Sequence, residues 1–184
     1  MKFTDLFPTP RFLTLSEAGV SVSERMIRFI SFKPGSDHEL ILTKSGEIPL
    51  EEGIISSGEV RDKQKLSEAL SKLSKEYGFR FVNATLPEER AYLFSTTVEK
   101  VPYKDLHDAV AFTIEENAPV SLSDSLFAFE FGNPTDSELN VAVSVLPSSV
   151  AEGYIDAFED ADITPVSFDI ESLALARALI KRGD

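Results

Sequence analysis

The most constraining feature of this sequence is a run of alternating apolar and polar residues, AGVSVSERMIRFISF, from Ala18 to Phe32. Residues Gly19–Ser23 and Met26–Phe32 each alternate with a period of two, which predicts two β-strands because successive side chains of a strand point to opposite faces. The polar stretch Ser23–Arg25 separates the two runs and predicts a turn. The chain is therefore expected to open with a β-hairpin, and Glu39–Thr43 predicts a third strand.

After Asp62 the pattern changes to helical spacing. Leucines recur at residues 66, 70 and 73, Asp62 can cap the start of a helix, and Gly78 lies where a left-handed C-terminal residue is expected. Residues Phe79–Leu86 then predict a strand. Because a helix separates this strand from the hairpin, we expect it to join the opening strands in parallel. The stretch Ser45–Val60 is compatible with either a loop or short strands.

The remainder of the chain alternates strands and helices. We predict, in order, a strand at Ala91–Val98, a helix at Tyr103–Glu116 with Leu106, Val110 and Ile114 on one stripe, a hairpin of Ser125–Phe131 and Asn140–Leu146, a helix capped by Ser148 or Ser149, a strand at Pro165–Phe168 and a last helix capped by Asp169. This order predicts a mixed α/β (α+β mixed) fold in two layers. The middle block is expected to be an inserted subdomain, which divides the chain into residues 1–87, 88–163 and 164–184.

Composition excludes several classes of function. The formal net charge is −13, and so acidic a surface repels nucleic-acid backbones and anionic lipid headgroups. There is no cysteine, which excludes disulfides and thiolate metal sites and fits a reducing cytosol. We find no apolar run of the roughly 18 residues that a membrane-spanning helix needs, and no signal peptide. The expected location is therefore the cytoplasm, with no nucleic-acid partner.

The usual catalytic and metal-binding motifs are missing. The two histidines, His38 and His107, are far apart, and His107 is expected on a solvated helix face. No phosphate-binding glycine loop, nucleophile elbow or zinc-protease motif occurs. Paired acidic residues are frequent, as on any solvated surface of so acidic a chain. We therefore predict no catalytic residue and no metal ligand.

Five segments, in the order PTPRFLTLSEAGVSVSERMIRFISF, GEVRDKQKLSEALSKL, FVNATLPEERAYLF, IEENAPVSL and VLPSSVAEGYIDAFEDADITPVSFDIESLALARAL, carry a family resemblance. With them the chain resembles the N-terminal half of the PilM family of type IV pilus assembly proteins, in the actin-like ATPase superfamily and related to the division protein FtsA. The resemblance implies an RNase H-like, actin-type half-lobe. It also implies an FtsA-like strand-helix-strand-strand-helix insert in that half-lobe.

The resemblance also implies a phosphate site in the opening hairpin. Nucleotide-binding relatives carry an Asp in the first strand, which orients Mg²⁺, and a turn that holds phosphate. Here the position of the Asp is Ser21, and the turn contains Ser23, Glu24 and Arg25. The missing carboxylate and the negative charge of Glu24 predict a degenerate site, although Arg25 offsets part of that charge. Glu171 matches a position where some superfamily members keep a polar residue near the attacking water, but a first-turn carboxylate favoured by the helix dipole explains it as well.

Relatives hold nucleotide between two lobes, and the second lobe follows the last helix. This chain ends at Lys181–Asp184, so we expect no cofactor in it, with ATP and Mg²⁺ bound only when a second lobe is present. The expected function is a scaffold of type IV pilus assembly, at the inner face of the cell membrane, which grips the N-terminal tail of an inner-membrane PilN-like protein. An acidic groove between the actin-type part and the insert would suit a basic tail with an apolar anchor. Candidate contacts are the strand Ala91–Val98 and the helix Tyr103–Glu116.

Two alternatives stay open. The first is an ATP-binding actin-like ATPase whose second lobe is missing from this chain. The second is a related scaffold of type II secretion or of cell division. Peripheral attachment to the membrane is expected through the partner only.

Overall fold

A computed structural model describes residues 18–35, 39–134 and 138–180. The strands are β1 (Ala18–Val22), β2 (Met26–Pro34), β3 (Leu40–Pro49), β4 (Ile55–Ser56), β5 (Glu59–Val60), β6 (Phe81–Leu86), β7 (Tyr92–Glu99), β8 (Ser125–Pro134), β9 (Glu138–Pro147) and β10 (Thr164–Ile170). The α-helices are α1 (Lys63–Tyr77), α2 (Leu106–Ala111), α3 (Ile114–Asn117), α4 (Ser148–Asp160) and α5 (Glu171–Leu179).

The large sheet has five strands in the order β10-β6-β1-β2-β3. The opening hairpin is antiparallel, with Val20 opposite Phe29. β1 and β10 both pair with β6 in parallel, so the predicted hairpin and the predicted parallel addition are confirmed. β3 is longer than predicted and runs to Pro49. In the rest of the uncertain stretch, residues 50–54 form a loop and residues 55–60 form the short β4–β5 hairpin.

Helix α1 begins and ends where the sequence predicts. The Asp62 side chain accepts a hydrogen bond from the Lys65 amide at 3.0 Å, and Gly78 has the left-handed φ of 72°. Leu66, Leu70 and Leu73 are all buried, because their spacing places them on one face of the helix. With α4, helix α1 covers one face of the large sheet and forms the main core.

A second, smaller core lies in the three-stranded sheet β7-β9-β8. Leu106, Val110 and Ile114 pack on this sheet, as their helical spacing predicts. The single predicted helix Tyr103–Glu116 is wrong, since the chain forms a 3-10 turn followed by α2 and α3. The break occurs at Thr113, whose amide and hydroxyl both donate to the Val110 carbonyl, three residues back, at 2.9 and 2.8 Å.

Two predicted helix caps are also wrong. α4 follows β9 directly, so Pro147 holds the cap position and Ser148 is already inside the helix. α5 follows β10 directly, with Ile170 at the cap and Asp169 in the strand. Neither helix has a side-chain cap, because the chain passes from strand to helix without a loop in which a capping residue can sit.

The predicted domain limits at residues 87 and 163 stay a prediction. The buried side chains form two clusters, and Val150, Tyr154 and Phe158 of α4 belong to the cluster of the large sheet. Helix α4 therefore packs with the large sheet rather than with the small one. Within the described ranges, no helix is long and apolar enough to cross a membrane.

Candidate functional site

The structure brings Ser21 and Glu171 together. Ser21 lies near the end of β1, and Glu171 is the first residue of α5. The Ser21 hydroxyl donates to Glu171 Oε1 at 3.5 Å. They meet because β1 and β10 both run parallel to β6, which places the carboxyl ends of the three strands at one edge of the sheet. In α/β folds this edge is where ligands commonly bind.

Two further hydroxyl groups belong to residues that neighbour Ser21 and Glu171, one in the sheet and one along the chain. Thr85 is the register partner of both Ser21 and Asp169, and Ser172 follows Glu171. Thr85 Oγ1 and Ser172 Oγ are buried, and neither has a hydrogen-bond partner in the part of the chain that the structure describes. Sequence reasoning missed both hydroxyls. Their positions, at the end of a predicted strand and in the first turn of a predicted helix, were the available signal.

The other predicted site residues lie in the β1–β2 turn, where their contacts are with the protein itself. The Ser23 amide and hydroxyl both donate to the Met26 carbonyl at 3.0 Å and close the turn. The Glu24 carboxylate accepts a hydrogen bond from the Ser57 amide at 2.5 Å. Arg25 is exposed, and its carbonyl accepts from the Leu50 amide at 2.8 Å. The turn is therefore tied to neighbouring backbone.

The turn at Ser57 and Gly58, which Glu24 contacts, accepts hydrogen bonds from two further side chains. Arg90 Nε donates to the Ser57 carbonyl at 3.2 Å, and the buried Tyr154 hydroxyl donates to the Gly58 carbonyl at 3.1 Å. Ser57 and Gly58 have left-handed φ values of 51° and 73°. Burial raises the pKa of the Tyr154 phenol, and the carboxylates of Glu89 and Glu24 raise it further. Tyr154 therefore stays protonated and acts as a donor.

A groove of about 800 Å³ lies on the opposite side of the small sheet from α2 and α3. One wall of the groove is formed by β7, β8 and β9, and the opposite wall by β10 and α5 with Ala151 and Ile155 of α4. The two faces of β9 alternate, since Val141, Val143 and Val145 are buried in the small core whereas the groove-facing residues are small or apolar. On β8 and β9 the groove is lined by Leu126, Ala128, Ala142, Ser144 and Leu146, among others.

One part of the groove wall is charged. Arg177 of α5 donates to Glu130 of β8 from Nε at 3.1 Å and from Nη2 at 2.6 Å. Its Nη1 donates to Asp169 of β10. Glu130, Asp169 and Arg177 are the charged residues that line the groove among the described residues. The acidic groove expected from the sequence is thus mostly apolar, with a net charge of −1 at this one place.

The two contact elements expected from the resemblance are separated by the structure. Leu93, Phe94 and Ser95 of β7 line the groove. The segment Tyr103–Glu116 packs on the other face of the small sheet and does not line it. His107 is exposed on α2, as predicted, and its ring lies 4.6 Å from the ring of Phe127. His38 lies outside the described residues.

A family model described as type IV pilus assembly protein PilM matches residues 19–182. The chain belongs to the PilM family. The sequence resemblance is therefore confirmed, and with it the predicted mixed α/β fold. No curated protein sequence matches the chain significantly.

Two solved structures share the fold of this chain, and a third resembles it more weakly. One, a PilM-PilN type IV pilus biogenesis complex, has a TM-score of 0.80 at 20% identity, over 89% of this chain and 50% of that chain. The cytoplasmic domain of EpsL, an inner-membrane component of the Vibrio cholerae type II secretion system, has a TM-score of 0.54 at 15% identity, over 83% and 56%. A Bacteroides thetaiotaomicron protein with an actin-like ATPase fold has a TM-score of 0.44 at 9% identity, over 89% and 55%. This PilM-family chain thus spans about half the length of the solved relatives.

Proposed function

We propose that this PilM-family chain is a scaffold of type IV pilus assembly that binds the N-terminal tail of an inner-membrane PilN-like protein. Support comes from the family and from the fold that the chain shares with PilM of the solved PilM-PilN complex. The tail would hold the chain at the cytoplasmic face of the cell membrane, with no membrane contact of its own. No nucleic acid is expected as a partner, given the net charge of −13.

The observation that carries this proposal is the groove between the small sheet and α5. Leu93 and Leu126 line it and are exposed by 46% and 52% of their surface. Small side chains such as Ala128, Ala142 and Ser144 also line the groove and leave room for the side chains of a bound segment. Apolar grooves with a few placed polar groups are the usual receptors for short segments. Burying such leucines under a partner is worth about 25 cal/mol for each Å² of apolar surface removed from water.

Filling the groove tests the proposal. Ala142 is exposed and lines the groove, so Ala142→Trp should fold and occupy the space of the tail. Thr97→Trp is the matched control, because Thr97 is exposed in β7 but does not line the groove. Fluorescence anisotropy with a labelled PilN-like tail should show saturable binding to the unmodified chain and to Thr97→Trp. Ala142→Trp should lose at least tenfold in affinity, and equal affinity of all three would reject the groove.

The alternative is an actin-like ATPase, which the edge formed by Ser21, Thr85, Glu171 and Ser172 favours. Mg²⁺ prefers carboxylate and phosphate oxygens. In this chain the hydroxyl on β1 is that of Ser21, which already donates a hydrogen bond to Glu171. The Glu24 carboxylate accepts a hydrogen bond from the Ser57 amide. Among the described residues, no group of three or more His, Cys, Asp or Glu could hold a metal ion. We therefore favour the scaffold and propose that this half binds no magnesium nucleotide by itself. Titration with Mg-ATP followed by calorimetry would test this, and micromolar affinity would favour the ATPase.

A further inference from the structure

We propose that Glu130 receives a positively charged group of the bound segment, and that Arg177 occupies this acceptor until the partner arrives. This inference rests on the proposed function and adds the charge that the groove recognises. It commits to a partner segment in which a cation, either a basic side chain or the terminal amine, lies next to the apolar residues. The resemblance predicted an acidic groove only in general, whereas the structure points to one carboxylate.

The ion pair of Glu130 and Arg177 joins the two walls of the groove, because Glu130 belongs to the small sheet and Arg177 to α5. Ion pairs such as Lys63 with Asp156 and Arg90 with Glu59 lie outside the groove. A segment that runs the length of the groove would pass beside Glu130 and Arg177, since both line it.

This ion pair is easily exchanged for another. The side chains of Glu130 and Arg177 are 66% and 53% exposed. Exposed ion pairs contribute little net stability, because water and salt screen them and two long side chains must be ordered. Asp169 is only 24% exposed and also holds Arg177, so the guanidinium keeps one partner when Glu130 is taken away. Exchange of the Glu130 partner thus leaves no charge buried and unpaired.

The sign of the charge favours a basic segment. The groove wall carries two carboxylates against one guanidinium, and the whole chain has a net charge of −13. This field attracts cations and repels anions, both during approach and at the wall. An acidic segment would have to compete with Glu130 and Asp169 for one guanidinium. A basic segment needs only to replace Arg177 at one carboxylate.

Two variants that break the same ion pair separate this role from a structural one. Glu130→Gln removes the acceptor and should weaken binding of the PilN-like tail by about threefold to fivefold, the range of an exposed pair. Arg177→Gln removes the competitor and should tighten binding by a similar factor. If the bridge only stabilised the groove walls, both variants would weaken binding. Glu116→Gln, an exposed carboxylate on α3 outside the groove, is the matched control.

Variants of the tail peptide test the same inference without any change to the folded protein. Four labelled tails are compared, namely the natural peptide, one with an acetylated amine, one with its basic residues changed to glutamine and one with both changes. We expect one of the first two changes to weaken binding to the unmodified chain and to have no effect on Glu130→Gln, which identifies the source of the cation. Loss of salt dependence in Glu130→Gln is also expected.

The outcomes distinguish the two proposals. If none of the tails binds the unmodified chain, both the proposed function and this inference fail. If the natural tail binds but Glu130→Gln and Arg177→Gln change its affinity in the same direction, only the inference fails. It also fails if removing both sources of charge from the peptide leaves its affinity unchanged. Opposite effects of the two variants, together with a charge-dependent tail, support it.

Discussion

Ser21 and Glu171 are 150 positions apart in the sequence, and the Ser21 hydroxyl donates to the Glu171 carboxylate at 3.5 Å. The contact joins the end of β1 to the start of α5. The family resemblance predicts that nucleotide-binding relatives carry, at the position of Ser21, the carboxylate that orients Mg²⁺. In this chain the carboxylate of the pair comes from the helix, and the strand supplies the donor.

Replacing the donor by an acid should turn this contact into a repulsion. In Ser21→Asp two carboxylates share the space of one hydrogen bond, and we expect a loss of about 1 to 3 kcal/mol of folding free energy at pH 7. Protonation of either acid relieves the repulsion, so stability should recover as the pH falls toward 4. Urea denaturation at several pH values measures this. The double variant Ser21→Asp, Glu171→Gln should regain stability at pH 7, and no recovery would mean that the two side chains do not interact.

Glu24 is expected to matter for stability rather than for ligand binding. Glu24→Ala removes the acceptor of the Ser57 amide and should cost about 0.5 to 1.5 kcal/mol, the net value of an accessible hydrogen bond. Arg25→Ala is the control, because this neighbouring side chain is exposed, and it should change stability by less than about 0.5 kcal/mol. Chemical denaturation measures both losses of folding free energy. Equal losses for Glu24→Ala and Arg25→Ala would contradict a stabilising hydrogen bond between Glu24 and Ser57.

The buried Tyr154 predicts a particular loss of stability at alkaline pH. Its folded-state pKa is raised by burial, so the tyrosine contributes no pH dependence below its unfolded pKa of about 10. Above that pH the unfolded chain loses the proton first, and stability should fall by up to about 1.4 kcal/mol per pH unit. Tyr154→Phe should cost about 1 to 3 kcal/mol at pH 8, since it leaves the Gly58 carbonyl without this donor. Its disadvantage should shrink as the pH rises from 10 to 11, and a constant difference would disprove the titration.

Two glycines should respond to alanine in opposite directions. A Cβ at Gly46 would lie 2.7 Å from the ring of Phe29, its register partner in the core, so Gly46→Ala should destabilise by about 1 to 3 kcal/mol. A Cβ at Gly153, inside α4, would meet Val60 at an ordinary 3.5 Å. Gly153→Ala should therefore stabilise by about 0.5 to 1 kcal/mol through helix propensity. Thermal denaturation of both variants checks the pair, and a shift in the same direction would contradict the packing.

The elements that the sequence predicted well are those set by local patterns. The alternation in β1 and β2, the leucines of α1 and its cap at Asp62 depend on neighbouring residues, and each is in place. The break between α2 and α3 and the missing caps of α4 and α5 were not predicted. The break depends on Thr113, whose hydroxyl donates to the Val110 carbonyl. The caps are missing because β9 and β10 lead directly into helices.

The candidate site was less accessible from the sequence, because its contacts are long-range. The family resemblance pointed to Ser21 and Glu171, but no local pattern shows that they touch. The partner of Glu24 is 33 positions away, and that of Arg177 on the small sheet is 47 positions away. The groove forms where the outer face of β7, β8 and β9 meets α5. The sequence shows only that the residues on that face are small or apolar, and does not show which element lies opposite them.

Chemical-shift mapping of the isotope-labelled chain with the PilN-like tail tests the central claim most directly. If the tail binds in the groove, the amide signals that change should cluster at Leu126–Glu130, Ala142–Leu146 and Ser167–Arg177. The signals of Ser23–Arg25 and of α2 should stay in place. Changes confined to the β1–β2 turn or to α2, with the groove signals unmoved, would contradict this account of the protein.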